Sequence, residues 1–370
     1  MNNLFIGLMS GTSLDAIDTV LTDLDSNQIS IIATHQHPIP DVLRNELLEL
    51  MQVDARHSLV TLGRLDQQLG QLFADAVNAL LADTAFTSQD IQAIGSHGQT
   101  IAHYPDEEYP FSLQIGDANQ IAQQTGITTI CDFRRRDIAA GGQGAPLAPA
   151  FHQAFFQDKK HERIILNIGG MANITHLPTD PLIPTTGFDT GPGNVLMDAW
   201  MQQQQQQLFD RDGSWAASGK IHPALLQQLL DTPYFQLKPP KSTGRETFNL
   251  DWLNAKLGER YQEIPAQDIQ ATLVELTAST IAQGISASCQ GGQILTCGGG
   301  THNQYLIQRL QQQLPVFNIA STAEHGIDPD WVEAVAFAWL AQQTLNSKAG
   351  NLPAVTGATQ ETVLGGIYSR

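Results

Sequence analysis

Apolar residues fall in short runs divided by glycine-bearing turns. Leu4 to Met9 is one such run, Ser10-Gly11-Thr12-Ser13 is a turn, and Ala16 to Leu24 is β-branched and partly alternating, which predicts a hairpin. The period then lengthens. Leu43, Leu47, Leu48 and Met51, followed by Leu59, Leu62, Leu65, Leu69, Leu72 and Phe73, recur at helical spacing, so two helices are expected within 40–84. Ile91 to Ile94 and Ile127 to Ile130 read as buried strands, and the Gly- and Pro-containing stretch Ala140 to Pro149 reads as a lobe boundary. Beyond it a strand over Arg163 to Asn167 breaks at Gly169-Gly170 and resumes over Asn173 to Leu177. Strand, glycine turn and strand have recurred, a weak internal repeat of elements rather than of letters. Helices over 266–288 and 303–314 flank a strand over Gln293 to Thr296, and a last helix runs from Trp331 to Leu345. The run Gln202 to Gln207 reads as the solvated face of a helix. Alternating strands and helices predict an α/β chain of two lobes, residues 1–145 joined by the tail 346–370, and residues 146–345.

Composition agrees with two lobes. At 370 residues the chain outgrows one efficient core, and 42% hydrophobic against 15% charged residues is ample to fill two. A formal charge of −18 disfavours nucleic acid and anionic membrane surfaces as partners. It leaves room for a phosphorylated ligand held by backbone N–H groups and a metal. Cys131, Cys289 and Cys297 form no CxxC pair, so neither a disulfide framework nor a zinc site is indicated. With no basic leader ahead of Leu4 and no apolar run of membrane-spanning length, a cytoplasmic protein is expected.

Three glycine-rich turns carry the candidate chemistry. The first runs from Gly7 through Gly11, Thr12, Ser13, Leu14, Asp15, Ala16 and Ile17 to Asp18. Its N–H groups and hydroxyls suit a phosphate, with Asp15 or Asp18 holding magnesium through water; an ordinary hairpin turn would look the same. The second, Gly187 to Asn194, leads through Gly191 and Gly193 into an apolar helix whose positive end would face an anion. Asp189 within it is either a carboxylate facing the ligand or a turn aspartate. The third, with Gly298, Gly299 and Gly300, would let a flat base or ribose lie on backbone, or serve as a connector. Neither GxxxxGK[ST] nor a Rossmann GxGxxG fits these turns.

Their order resembles the phosphate, phosphate, adenosine series of the actin/hexokinase/Hsp70 superfamily, which implies a ribonuclease H-like, two-lobed fold with an ATP and substrate cleft between the lobes. Longer blocks narrow this. GLMSGTSLDAID (7–18), GSHGQTIAHYP (95–105), LQIGDANQIAQQTGI (113–127), DFRRRDIAAGGQGAPLAP (132–149), LNIGGMANIT (166–175), GFDTGPGNVLMDAW (187–200), PPKSTGRETFN (239–249) and LTCGGGTHN (295–303) together resemble the anhydro-N-acetylmuramic acid kinase family over nearly the whole chain. One departure is Ala16, where that family usually has glycine; tolerance is expected.

The resemblance implies an ATP- and Mg2+-dependent kinase of cell-wall recycling, acting on 1,6-anhydro-N-acetylmuramic acid as a homodimer. It implies Asp189 as the base that activates water, and Glu333 as a contact to the sugar or that water. ATP contacts are expected along 11–18 and at Gly169, Gly170, Gly191, Gly193, Asn194 and Gly298 to Gly300. Sugar contacts are expected at His97, Arg134, Asp137, Gly142 and Gln143, with Arg134 receiving the lactyl carboxylate. The rival readings are another sugar or acyl kinase of the superfamily, and a chaperone-like ATPase, for which the chain has no residues left to build a peptide- or DNA-binding module.

Overall fold

A computed structural model describes residues 3–11, 14–25, 28–52, 57–261 and 263–370. The chain divides into two compact units, residues 1–151 with 331–370, and residues 152–330.

The first unit is built on a six-stranded sheet. Its strands are β1 (Leu4–Ser10), β2 (Ala16–Asp25), β3 (Gln28–Pro38), β4 (Ala93–Ser96), β7 (Thr129–Cys131) and β13 (Gly366–Tyr368), in the order β13-β7-β4-β1-β2-β3. A separate hairpin pairs β5 (Gln99–Tyr104) with β6 (Phe111–Ile115). The second unit holds β8 (Arg163–Ile168), β9 (Met171–Leu177), β10 (Thr186–Pro192), β11 (Gly292–Cys297) and β12 (Phe317–Ser321), in the order β10-β9-β8-β11-β12.

The two sheets repeat one plan. β1, β2 and β3 form an antiparallel meander with β4 and β7 added in parallel beside β1; β8, β9 and β10 form the same meander with β11 and β12 beside β8. The element-level repeat expected from the sequence is therefore a repeat of topology, the ribonuclease H-like order, and the α/β class holds in both units.

Apolar residues fill each unit's core for the reason their spacing predicts. Leu65, Leu69, Phe73, Ala76, Val77 and Leu80 of helix Leu59–Ala82 all face inward with Ile6, Leu8 and Ile94. In the second unit, helix Ala266–Ser288 sets Leu273, Leu276 and Ile281 against Ile164, Leu166 and Ile294.

Helix Val332–Leu345 belongs with the first unit, where the sequence reading had assigned it to the second. The reason is a trough of glycine. Gly7 of β1 and Gly95 of β4 are paired across the sheet, and a Cβ on either would overlap the helix backbone, at the carbonyls of Ala334 and Phe337. Only a bare backbone lets the helix lie that close. The boundary near 145 accordingly moves to 151.

Candidate active site

In the second unit, the turn Gly169-Gly170 between β8 and β9 is laced to the start of helix Val195–Gln205. Gly193 N–H and Val195 N–H donate to Gly170 O at 2.9 and 3.1 Å, and Asn194 N–H donates to Gly169 O at 2.8 Å. A side chain on Gly193 would overlap Gly169 O. Gly298 and Gly300 pack against the end of β8, where Asn167 and Ile168 would block any Cβ. Gly169, Gly170, Gly193, Asn194, Gly298 and Gly300 thus meet at one end of one strand. Gly299 has a different reason to be glycine, since nothing lies within 4 Å of its missing Cβ. Around the Cβ that Gly170 lacks, the nearest atom is Arg245 Nη2 at 4.0 Å. Those two positions leave backbone open for a ligand to approach.

Gly191 departs from the sequence reading. It lies buried inside β10, a strand where a turn was expected, at φ 152°, with Phe235 Cε1 2.7 Å from the place of its Cβ. Phe235 accounts for the absence of a side chain at this position.

Asp189 sits at an irregularity. The pairing of β10 with β9 shifts register between Asp189 and Gly191, a bulge that re-aims a side chain. The segment 239–249 then fastens it. Thr243 N–H donates to Asp189 Oδ2 at 3.0 Å, Asp189 N–H donates to Lys241 O at 3.1 Å, and Tyr234 Oη donates to Asp189 O at 2.7 Å. Among the described residues Oδ1 has no hydrogen-bond partner. Burial raises the carboxyl to about 6 and the neighbouring Glu246 charge adds to the rise, against the Thr243 N–H, which favours the anion. A fixed, half-buried carboxylate with one open oxygen and a pKa near neutrality suits a general base.

In the first unit, Arg134 donates through Nη2 to His97 Nε2 at 2.8 Å and through Nη1 to Gly144 O at 2.9 Å. Burial lowers Arg134 to about 10, opposed by the charges of Glu333 and Asp137, so it stays cationic at neutral pH. His97 is pushed to about 3 by burial and then by Arg134, so it is neutral. As guanidinium can only donate, His97 Nε2 is the acceptor and its proton lies on Nδ1. Glu333, in the first turn of helix Val332–Leu345, is accessible to solvent, yet desolvation and the Asp18 charge raise its pKa while Arg134 lowers it.

Asp137 corrects the sequence reading. Its carboxylate is fully buried and is consumed by the fold: Oδ1 accepts from Asn351 Nδ2 at 2.7 Å and Thr356 Oγ1 at 2.8 Å, and Oδ2 from Gly144 N–H at 2.8 Å. It therefore braces Gly144, which holds Arg134, in place of touching a sugar. Gly142 is buried against the same carboxylate and is explained by that packing. Gln143 is exposed, with its N–H bonded to Thr356 O at 2.8 Å.

Asp15 also departs from expectation. It pairs with Arg44 at 3.0 Å on the surface, which leaves Asp18 as the better of the two for a hydrated metal. Asp18 accepts from Gln36 Nε2 at 3.1 Å. Among the described residues no group of three or more His, Cys, Asp or Glu is gathered for a metal. Gly11 O accepts from Leu14 N–H at 3.2 Å, Leu14 and Ile17 are buried, and Thr12 and Ser13 lie outside the described residues. Leu14, at φ 55°, holds the left-handed conformation of this turn, whereas Ala16 opens β2 without positive φ, so its methyl brings no strain.

The family model for anhydro-N-acetylmuramic acid kinase matches residues 3–370. The chain belongs to that family. A relative named anhydro-N-acetylmuramic acid kinase in Coxiella burnetii is 53% identical over 98% of this chain and 97% of its own length. One of the same name in Shewanella baltica is 52% identical over 100% and 99%. A distant likeness extends to the activator of the 2-hydroxyisocaproyl-CoA dehydratase from Clostridium difficile with bound ADPNP, at 12% identity over 93% of this chain and 96% of that one, with a TM-score of 0.47.

Membership makes the chain a kinase, a phosphotransferase acting on a hydroxyl group, in line with the sequence reading. Among the described residues no helix is long and apolar enough to cross a membrane. Sequence reasoning noticed the family block 239–249 without giving it a task. Its task is local: Lys241 and Thr243 fasten Asp189, Glu246 tunes it, and Tyr234 supports it from just upstream.

Proposed function

We propose that this chain uses ATP to open and phosphorylate 1,6-anhydro-N-acetylmuramic acid, giving N-acetylmuramic acid 6-phosphate and ADP, with Asp189 as the base. Water attacks C1 and passes a proton to Asp189. The C1–O6 bond breaks with its electron pair going to O6, O6 bonds to the γ-phosphorus, and the β–γ bridging bond breaks with its pair leaving on ADP. The phosphoryl group traps O6, so no strong acid need protonate it, unlike an inverting glycosidase. The observation that carries this reading is Asp189 itself, anchored at Oδ2, open at Oδ1 and poised near 6.

Arg134, cationic and braced by Gly144 and His97, suits the lactyl carboxylate, and Glu333 suits the sugar or the attacking water. The turns at 169–170, 193–194 and 298–300 suit the nucleotide through the open backbone at Gly170 and Gly299. Mg2+ would be held through water by Asp18, a donor set that fits a cation which keeps most of its own waters, and bound there it would neutralise phosphate charge. A homodimer in the cytoplasm completes the reading and rests on family membership alone; sedimentation velocity checks the dimer.

The deciding experiment is ADP release with and without the anhydro sugar in 18O-labelled water. Sugar-dependent release with label at C1 is expected. Release without label would favour a kinase acting on a pre-existing hydroxyl.

A further inference from the structure

We propose that Arg245 is a further catalytic residue, a guanidinium that meets the phosphoryl group in flight; the proposal rests on the kinase reading above. Phosphoryl transfer spreads negative charge over the three peripheral oxygens, and an enzyme of this kind normally answers with Lys, Arg and metal. Here the glycine turns that meet at the end of β8 contain no Lys or Arg, and the three N–H groups of Gly193, Asn194 and Val195 are already spent on Gly169 and Gly170 carbonyls. A protein cation must come from elsewhere.

Arg245 is the cation that the described residues bring to this turn. Its Nη2 lies 4.0 Å from where a Cβ on Gly170 would stand, and among the described residues, the glycine's own chain neighbours aside, no other atom comes as close to that point. It is exposed and has no carboxylate partner among the described residues, in a chain whose acidic residues outnumber its basic ones 37 to 19. The one other cation on the segment, Lys241, is turned away onto the Tyr234 ring at 4.6 Å.

The segment also explains why the position matters. Thr243, two residues upstream, donates to Asp189 Oδ2, while Arg245 reaches toward Gly170. One short stretch therefore serves the base that deprotonates water and the turn suited to phosphate. In the transfer step the O6–phosphorus bond forms as the bond to the bridging oxygen breaks, its pair leaving on ADP. Arg245 donates two N–H groups to the peripheral oxygens and transfers no proton, which a planar guanidinium does better than an ammonium.

The test uses the full chain and its Arg245→Ala and Arg245→Lys variants, whose exposed site leaves folding intact, as circular dichroism checks. ADP formation with the anhydro sugar is expected to fall about 100-fold or more in kcat for Arg245→Ala, the scale set by losing one transition-state donor. ADP affinity by calorimetry should stay within about twofold, because ADP lacks the group in question. Free guanidinium should restore part of the turnover to Arg245→Ala and none to the wild type, and Arg245→Lys should fall between. Wild-type-like kcat in Arg245→Ala, or a loss matched in ADP affinity and untouched by guanidinium, overturns the proposal. A wild type that releases no ADP with the sugar overturns the kinase reading first, and this one with it.

Discussion

Arg134 donates to His97 Nε2 at 2.8 Å, and the bond decides which ring nitrogen of His97 carries its proton. His97 titrates near 3 in the folded chain against an ordinary 6.5. Between those values the unfolded chain binds a proton that the folded chain refuses, so stability is full above the ordinary value and lost as pH falls through the window. His97→Gln, whose amide oxygen accepts from Arg134 without titrating, should lose less urea stability than the wild type between about pH 7 and pH 5. Equal losses would count against a His97 that stays neutral in the folded chain.

Asp189 predicts the acid limb of the rate. As its carboxyl titrates near 6 and the base must be ionised, kcat should fall tenfold per pH unit below that point and level off above it. Glu246→Gln removes a like charge, lowers the Asp189 pKa and should move the limb to lower pH. Asp189→Asn should keep ATP affinity and lose kcat by about two to four powers of ten. A pH–rate series on the three proteins checks the limb and the loss of turnover, and calorimetry with ATP checks the affinity.

Asp137→Asn places an NH2 where donors already converge from Asn351, Thr356 and Gly144. Urea denaturation should show a loss of about 3 kcal/mol, the scale of a broken buried ionic hydrogen-bond cluster. Because Gly144 O also steadies Arg134, the KM for the sugar should rise in this variant while the KM for ATP stays put. An unchanged sugar KM would confine Asp137 to stability.

Two glycine substitutions separate packing from ligand approach. Gly193→Ala drives a methyl into Gly169 O and should lower both stability and ATP affinity. Gly299→Ala meets nothing within 4 Å and should leave the melting temperature unchanged. Any loss of ATP affinity in Gly299→Ala, read by calorimetry, then reports a ligand on that backbone.

Much of this was legible from spacing. The helix at 266–288 was expected at its observed bounds, because Leu273, Leu276 and Ile281 repeat at helical period. β3, by contrast, escaped notice: His35 and His37 and the polar residues between the apolar ones hide a strand that faces solvent along one side. β10 was read as a turn because Gly187, Gly191, Pro192 and Gly193 are turn residues, yet the strand runs on to Pro192, with a bulge before Gly191 and Phe235 packed on it. At the site, residue type pointed to Asp189 and Arg134. It could not show that Asp137 is spent inside the fold or that Asp15 meets Arg44, since both depend on partners far along the chain.

The glycine trough formed by Gly7 and Gly95 has a consequence for biosynthesis. The backbone that fills it lies in helix Val332–Leu345, more than three hundred residues downstream of β1. At ordinary ribosomal speeds the strand waits roughly 15 to 70 s for its cover. By the end of that interval the continuous stretch 152–330 has been made and holds every strand of its own sheet, while the first unit still lacks the helix that fills its groove. A nascent chain stalled ahead of the helix should therefore present that groove to chaperones, and a stall placed just after it should not.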